Sequence, residues 1–125
     1  GINDQGPAID VIGRGVRVLS HLCRRASPEA PKYERVFAPA LSVEHMLDDF
    51  FTPIARDGAA IVEVGMCLQQ ALASLGRLGD AALMVAAHRQ AELALKRAET
   101  ALTLPEDWQR VRHAAVNAGL SDNRG

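Results

Sequence analysis

Histidine is the side chain of this sequence that most readily binds a metal or transfers a proton, and four are present. None has a second histidine or a cysteine three or four residues away, the spacing that places two metal ligands on one helix face. The sequence therefore predicts no metal site and no cofactor. The four residues are His21, His45, His88 and His113.

Two of these histidines have noteworthy neighbours. Asp48 and Asp49 follow His45 by three and four residues, so a helix could offer mixed nitrogen and oxygen ligands there. The same pattern is more typical of an exposed acidic turn. His88 lies in a row of apolar residues, and we expect it to be a buried, neutral imidazole with one hydrogen bond. A functional role for His88 stays open.

The serines and cysteines show no pattern of a catalytic nucleophile. No serine lies in a Gly-x-Ser-x-Gly turn, and neither Cys23 nor Cys67 has a nucleophile signature around it. We expect both cysteines to be small, reduced, buried side chains, with a structural disulfide as the alternative. The sequence predicts no catalytic residue, so a non-catalytic protein is the favoured interpretation.

Gly13-Arg14-Gly15 superficially resembles a phosphate-binding glycine loop. Such a loop follows a strand, whereas these residues lie within a helical pattern. Glycine removes the side chain from a contact, so we predict that this segment lets two helices approach closely.

The opening residues Asn3 and Asp4 are the first candidate site. Polar side chains before a helix usually cap its free N–H groups, and that is the favoured interpretation. The alternative is that Asn3 and Asp4 bind an ion or a neighbouring element.

A basic stripe on the first helix is the second candidate site. Arg14, Arg17, His21 and Arg24 recur at helical spacing after Asp10, with Arg25 beside them. The stripe is either a solvated face or a contact for anionic lipid headgroups or an acidic partner. Nucleic acid is not expected, because the net charge of the whole chain is −1.

The composition predicts the elements that position these residues. Of the 125 residues, 48% are hydrophobic but only 4% are aromatic, and alanine and leucine dominate. Both favour helices, while the residues that favour strands are sparse. We therefore predict an all-α fold: a compact bundle of about five helices with short antiparallel connections, forming a single domain over 1–125. No apolar run approaches the roughly 20 residues that cross a bilayer.

Proline, glycine and capping residues mark the ends of the predicted helices. We predict a Pro-containing loop at 26–40, a kink or break at Pro53 near Thr52, a stop at Gly119 and a frayed tail at 121–125. The third helix is apolar on most faces and should lie at the centre. The predicted helices span about 7–25, 42–57, 60–75, 80–102 and 103–118.

The spacing of apolar residues also predicts the buried face of each helix. Four of the helices carry a stripe of mainly apolar residues at helical spacing. The stripes are Ile9, Ile12, Val16, Leu19 and Cys23; Val43, Leu47, Phe50 and Ile54; Met84, His88, Ala91, Leu95, Ala98 and Leu102; and Trp108, Val111, Ala115 and Ala118.

The opening Gly1-Ile2-Asn3-Asp4, followed by an amphipathic helix, resembles a family of bacterial predicted integral membrane proteins of unknown function. The soluble C-terminal part of that family carries a Ser-Pro-Gly-Ile-Asn-Asp-Pro signature. Residues 42–54, 72–78 and 89–107 are similar to the same region. This chain departs from the signature, because Gln5 replaces its last proline and the leading Ser-Pro is absent.

The resemblance implies that this chain is the soluble C-terminal fragment of a larger membrane protein. Membrane helices would precede Gly1, and the domain would lie at the cytoplasmic face of the bacterial inner membrane. We expect a domain for self-association, as a homo-oligomer, or for partner contact. The alternative is a ligand- or ion-binding domain, or an enzyme, with a site near Asn3 and Asp4 that residues absent from this chain would complete.

Overall fold

A computed structural model describes residues 6–25, 43–77 and 81–120. These residues form five α-helices and no strand, which confirms the all-α prediction. The predicted loop at 26–40 and tail at 121–125 lie outside the described residues. The helices are α1 Gly6–Arg25, α2 Val43–Asp57, α3 Val62–Gly76, α4 Ala81–Ala101 and α5 Pro105–Asn117.

Helix α3 lies at the centre of the bundle, as predicted. It contacts each of the other four helices. A helix in that position must be apolar on most faces, and α3 carries a single charged side chain, that of Glu63. Its buried residues are Val62, Val64, Gly65, Leu68, Gln69, Leu72, Ala73 and Leu75.

The buried residues form two clusters. The larger joins α1, α2, α3 and α4, and Leu47, Leu72 and Leu75 are fully buried in it. The smaller lies where the start of α3 and the end of α4 meet α5, around Leu95 and Val111. Fully burying a leucine or valine side chain is worth about 1.5–3 kcal/mol, so both clusters stabilise the bundle.

Helix α2 excludes one of the two predicted effects of Pro53, a break, and it buries a different aromatic residue from the predicted one. It runs from Val43 to Asp57 without a break at Pro53. Pro53 is exposed, so water can reach the carbonyl group that lacks its helical partner. The deepest aromatic residue is Phe51, whereas Phe50 and Ile54 are only half-buried. The two rings pack edge to face, with centroids 4.9 Å apart, and Phe50 faces α1 instead of the centre.

Helix α4 buries part of the predicted stripe, Ala91, Leu95 and Ala98, together with residues outside that stripe. Met84 is 46% exposed and His88 is exposed, so the prediction of a buried His88 imidazole was wrong. The cause is that α4 packs against both α3 and α2, and its buried face is wider than one heptad stripe. Its buried residues are Leu83, Ala86, Ala87, Gln90, Ala91, Ala94, Leu95 and Ala98.

Helix α5 begins at Pro105, in the first turn that proline favours. Gly119 adopts a φ of +80°, and the amide of the following Leu120 donates to the carbonyl of Ala115. This is the left-handed helix end predicted for Gly119. Trp108 is only half-buried, contrary to its prediction, because it lies at the margin of the smaller cluster.

Candidate functional site

Helix α1 packs on the bundle through Ile12 and Leu19, which are buried as predicted. Gly15 lies between them on the same side, against the ring of Phe50. A Cβ atom at Gly15 would overlap that ring, so the absence of a side chain allows α1 and α2 to approach. Gly13 has open space around it. The predicted close approach therefore depends on the second glycine of the pair.

The opposite side of α1 carries the predicted basic stripe. Arg14, Arg17 and His21 are exposed. Two valines lie among them: Val11 is 44% exposed and Val18 is 58% exposed. Spacings of three and four residues connect Val11, Arg14 and Val18 along one line of the helix. We call these five residues the α1 outer face.

The α1 outer face combines two kinds of chemistry. Guanidinium groups donate several hydrogen bonds in a plane that matches phosphate and carboxylate oxygens. Valine side chains leave water favourably when they meet an apolar phase. A helix surface with both features can bind at the boundary between charged headgroups and acyl chains.

The remaining residues of the predicted sites cannot be placed. Asn3 and Asp4 lie outside the described residues, and so does the side chain of Arg24. The proposed roles of these three residues stay predictions.

A second cationic site, which sequence reasoning missed, lies between α3 and α5. A cleft of about 360 Å³ separates the two helices. Three cationic or ionisable side chains line it: Arg77 from the end of α3, with Arg110 and His113 from α5. The remaining lining residues are Met66, Gln70, Ala73, Ser74, Ala114, Asn117 and Ala118.

The charges of this α3–α5 cleft are not neutralised by its own walls. None of the described residues that line it is acidic. Arg77 donates a long hydrogen bond of 3.4 Å from Nη2 to the Ser74 hydroxyl. Arg110 has no carboxylate within 4.0 Å in the described part of the chain. The cleft therefore offers donors that no described acidic group satisfies.

The seam between α2 and α4 shows the opposite arrangement. Arg89 forms an ion pair of 2.8 Å with Glu44. Asp48 accepts hydrogen bonds from the Thr52 hydroxyl at 2.9 Å and from Gln90 Nε2 at 3.2 Å. These bonds, that from Thr52 above all, hold the pKa of Asp48 below its usual value. The acidic turn near His45 thus serves to join two helices.

Other reactive side chains do not assemble into a site. In the described ranges no group of three His, Cys, Asp or Glu residues is arranged to hold a metal ion. Cys67 is a free, half-buried thiol, and burial raises its pKa, which favours the unreactive protonated form.

Two buried glutamines also escaped sequence reasoning. Gln69 is fully buried, and its Nε2 donates to the carbonyl of Ala91 at 3.1 Å, which links α3 to α4. Its Oε1 is buried and has no described partner. Gln90 reaches Asp48 from α4. The apolar character of the third helix predicts burial of this part of α3, but it does not predict the partner of the Gln69 amide.

Comparisons with known proteins place the chain in a family. None of the described helices has the length and apolar character to cross a bilayer. No curated protein and no solved structure matches the chain. The sequence model of one family, described as "Predicted membrane protein (DUF2254)", matches residues 1–74. This range includes α1, α2 and most of α3, but it ends before Arg77. The chain therefore belongs to this family of predicted membrane proteins, DUF2254.

Proposed function

We propose that this chain is a non-catalytic helical domain of a membrane protein, and that its α1 outer face contacts the anionic surface of the membrane. One observation carries the proposal: Val11 and Val18 are exposed beside Arg14, three residues before it and four after it, on a helix whose other side is packed on the bundle. Family membership supports the membrane as the partner.

Charge complementarity favours anionic lipid headgroups. Each basic residue near an anionic membrane surface is worth about 1 kcal/mol. Arg14 and Arg17 together would contribute about 2 kcal/mol by that measure. Burial of the two exposed valines in the interface would add to this, because apolar area leaves water.

The finer placement in the parent protein is part of the same proposal. We place this domain, as a soluble piece, at the C-terminal end of a bacterial membrane protein. The opening Gly1-Ile2-Asn3-Asp4 would then be the second half of the family signature. The cytoplasmic leaflet of the inner membrane is the surface we assign, because that leaflet attracts basic segments beside a membrane.

Vesicle co-sedimentation at low salt tests the proposal. The wild-type chain should bind vesicles that contain phosphatidylglycerol and should not bind neutral phosphatidylcholine vesicles. Arg14→Glu combined with Arg17→Glu should weaken binding by about 30-fold or more, since at least about 2 kcal/mol is removed.

A second double variant controls for net charge. Arg56 and Lys96 are exposed and line a groove between α2 and α4. Arg56→Glu with Lys96→Glu gives the same net charge as the first variant and should retain most of the binding. If both double variants lose binding equally, overall charge explains the effect and the α1 assignment is wrong. If the α1 variant still binds like the wild type, the proposal is wrong.

Self-association is a second candidate function, and one observation favours it. Met84 and Val85 are adjacent on α4 and are 46% and 61% exposed. Exposed apolar side chains that lie together can mark a contact with another protein, here a second copy of the chain. Light scattering after size-exclusion should then show a dimer that Val85→Glu converts to a monomer. A monomer at millimolar concentration would exclude this candidate.

The ligand- or ion-binding alternative at Asn3 and Asp4 stays a prediction. Neither residue is described, and no described residue adds support to that site.

A further inference from the structure

We infer that the α3–α5 cleft is a binding site for a phosphate monoester group. This inference does not depend on the contact proposed for α1, because it uses different helices. It rests on the convergence of two arginines, a histidine and three neutral hydrogen-bonding side chains around one opening.

The convergence follows from the helical spacing of both walls. Gln70, Ser74 and Arg77 recur at intervals of four and three residues and so lie along one line of α3. Arg110, His113 and Asn117 do the same on α5 with intervals of three and four. Because α3 and α5 pack against each other, the two polar lines face one space.

The shape of the cleft sets the size of the ligand. Its volume of about 360 Å³ is at the lower end of the range for small-molecule sites, which starts at about 300 Å³. Four lining residues are apolar and supply a surface for the organic part of the ligand. They are Met66, Ala73, Ala114 and Ala118.

The donor set favours phosphate over carboxylate. A single bidentate arginine satisfies a carboxylate, whereas a phosphate monoester has three terminal oxygens and carries up to two negative charges. Arg77 and Arg110 come from opposite walls and can approach different oxygens. Ser74 and Asn117 provide neutral donors beside them. No described acidic side chain in the lining repels the anion.

A different cationic groove provides the control for this inference. It lies between α2 and α4 and is lined by Arg56, Lys96 and Arg97, with Thr100 as its one neutral polar residue. Charge alone would therefore bind an anion in either groove. A phosphate site of the inferred kind needs the neutral donors as well, which the α3–α5 cleft has.

Titration of the ¹⁵N-labelled chain with inorganic phosphate and with glycerol 3-phosphate tests the inference. Amide signals of α3 and α5 around Ser74 and Asn117 should shift and saturate with both ligands. Arg110→Gln should weaken binding by about tenfold or more, as expected for a charge-assisted hydrogen bond. Lys96→Gln removes the same charge from the other groove and should bind like the wild type.

Three results would overturn the inference. These are shifts that do not saturate, equal losses in Arg110→Gln and Lys96→Gln, and shifts centred on the α2–α4 groove. Since Arg110 is exposed, its variant should keep the circular dichroism spectrum and unfolding midpoint of the wild type.

Vesicles of phosphatidic acid, whose headgroup is a phosphate monoester, identify the source of the group. If Arg110→Gln weakens vesicle binding and free glycerol 3-phosphate also binds, the cleft takes the group from lipid as well as from solution. If only the soluble ester depends on Arg110, the ligand is a soluble metabolite. If binding of neither the vesicles nor the soluble ester depends on Arg110, the inference is wrong. Arg14→Glu with Arg17→Glu should leave binding of the soluble ester intact, so this site can fail or succeed separately from the α1 outer face.

Discussion

The α1 outer face and the α3–α5 cleft are both cationic, yet they differ in shape and in the neighbours of their arginines. On α1 the arginines project from a single convex helix, with one exposed valine before them and one after them. In the cleft they come from two helices and are accompanied by Gln70, Ser74 and Asn117. The first surface can lie on a plane, while the second can enclose a small group.

The difference shows that the surroundings of an arginine side chain decide which partner it can bind. A convex helix can contact a ligand from one side only. Its arginines therefore act through long-range charge and need an extended anionic partner. Opposed walls fix donors around one point and favour a compact anion. The α1 outer face also lies within the residues that match the membrane protein family, whereas Arg77, Arg110 and His113 follow them.

Ionic strength should separate the two surfaces by the largest margin. The Debye length falls from about 30 Å at 0.01 M salt to about 8 Å at 0.15 M. Binding to phosphatidylglycerol vesicles should therefore fall steeply over this range. Binding of glycerol 3-phosphate in the cleft should decline less, since part of it comes from short hydrogen bonds to neutral groups. Titrations at both salt concentrations measure this, and equal salt dependence would contradict the distinction.

Gly15→Ala should have the next largest effect, because the orientation of α1 depends on this glycine. A Cβ atom there overlaps the ring of Phe50 and should lower the free energy of unfolding by about 2 kcal/mol. Gly13→Ala is the matched control. It meets open space and should raise the free energy of unfolding by up to about 1 kcal/mol, since alanine favours a helix. Urea denaturation of both variants gives the comparison; similar stabilities would mean that α1 does not pack as described.

Gly65→Ala tests a close contact between α3 and α5, and we expect a smaller loss in the free energy of unfolding. The added Cβ would lie 3.0 Å from Cγ2 of Val111, which is buried and has little room to move. Overpacking should outweigh the gain in helix propensity by about 1 kcal/mol or less. In a Val111→Ala background the same change should become stabilising. A loss that is independent of residue 111 would contradict this contact between α3 and α5.

Asp48→Asn should have the smallest effect, because this carboxylate is exposed and serves neither cationic surface. Its pKa is lower in the folded chain, so its stabilising contribution is complete above the unfolded pKa near 3.8 and disappears as the pH falls through the folded value. The thermal stability of the wild type, measured by thermal unfolding, should therefore fall below about pH 4 by more than that of Asp48→Asn. Parallel curves for the two proteins would remove the role assigned to the bonds from Thr52 and Gln90.

Local sequence patterns predicted the helices and part of their packing. Periodicity placed Ile12 and Leu19 on the inner face of α1, and the Gly13–Gly15 pair predicted a close approach. Proline and glycine located the ends of α5. These features are local, since each depends on a few neighbouring residues and a fixed helical repeat.

The missed features depend on which helices are neighbours. Periodicity placed His88 in a narrow stripe, but contacts with both α2 and α3 gave α4 a broader buried face. The cleft was missed for the same reason. The sequence shows the polar residues of α3 and those of α5 separately, but it does not show that these two helices pack together. The partner of Gln69, a carbonyl on α4, was equally inaccessible.

Fluorescence quenching in brominated lipid gives the most direct test of the central claim, that the α1 outer face contacts the membrane. The single tryptophan of the chain, Trp108, lies on α5 and serves as an internal reference. A Val18→Trp, Trp108→Phe variant carries the probe on α1 instead. On anionic vesicles its emission should shift to the blue and be quenched by brominated acyl chains, while Trp108 in the wild type should be unaffected. A vesicle-bound variant whose Trp at position 18 is not quenched, or equal quenching at both positions, would contradict the account.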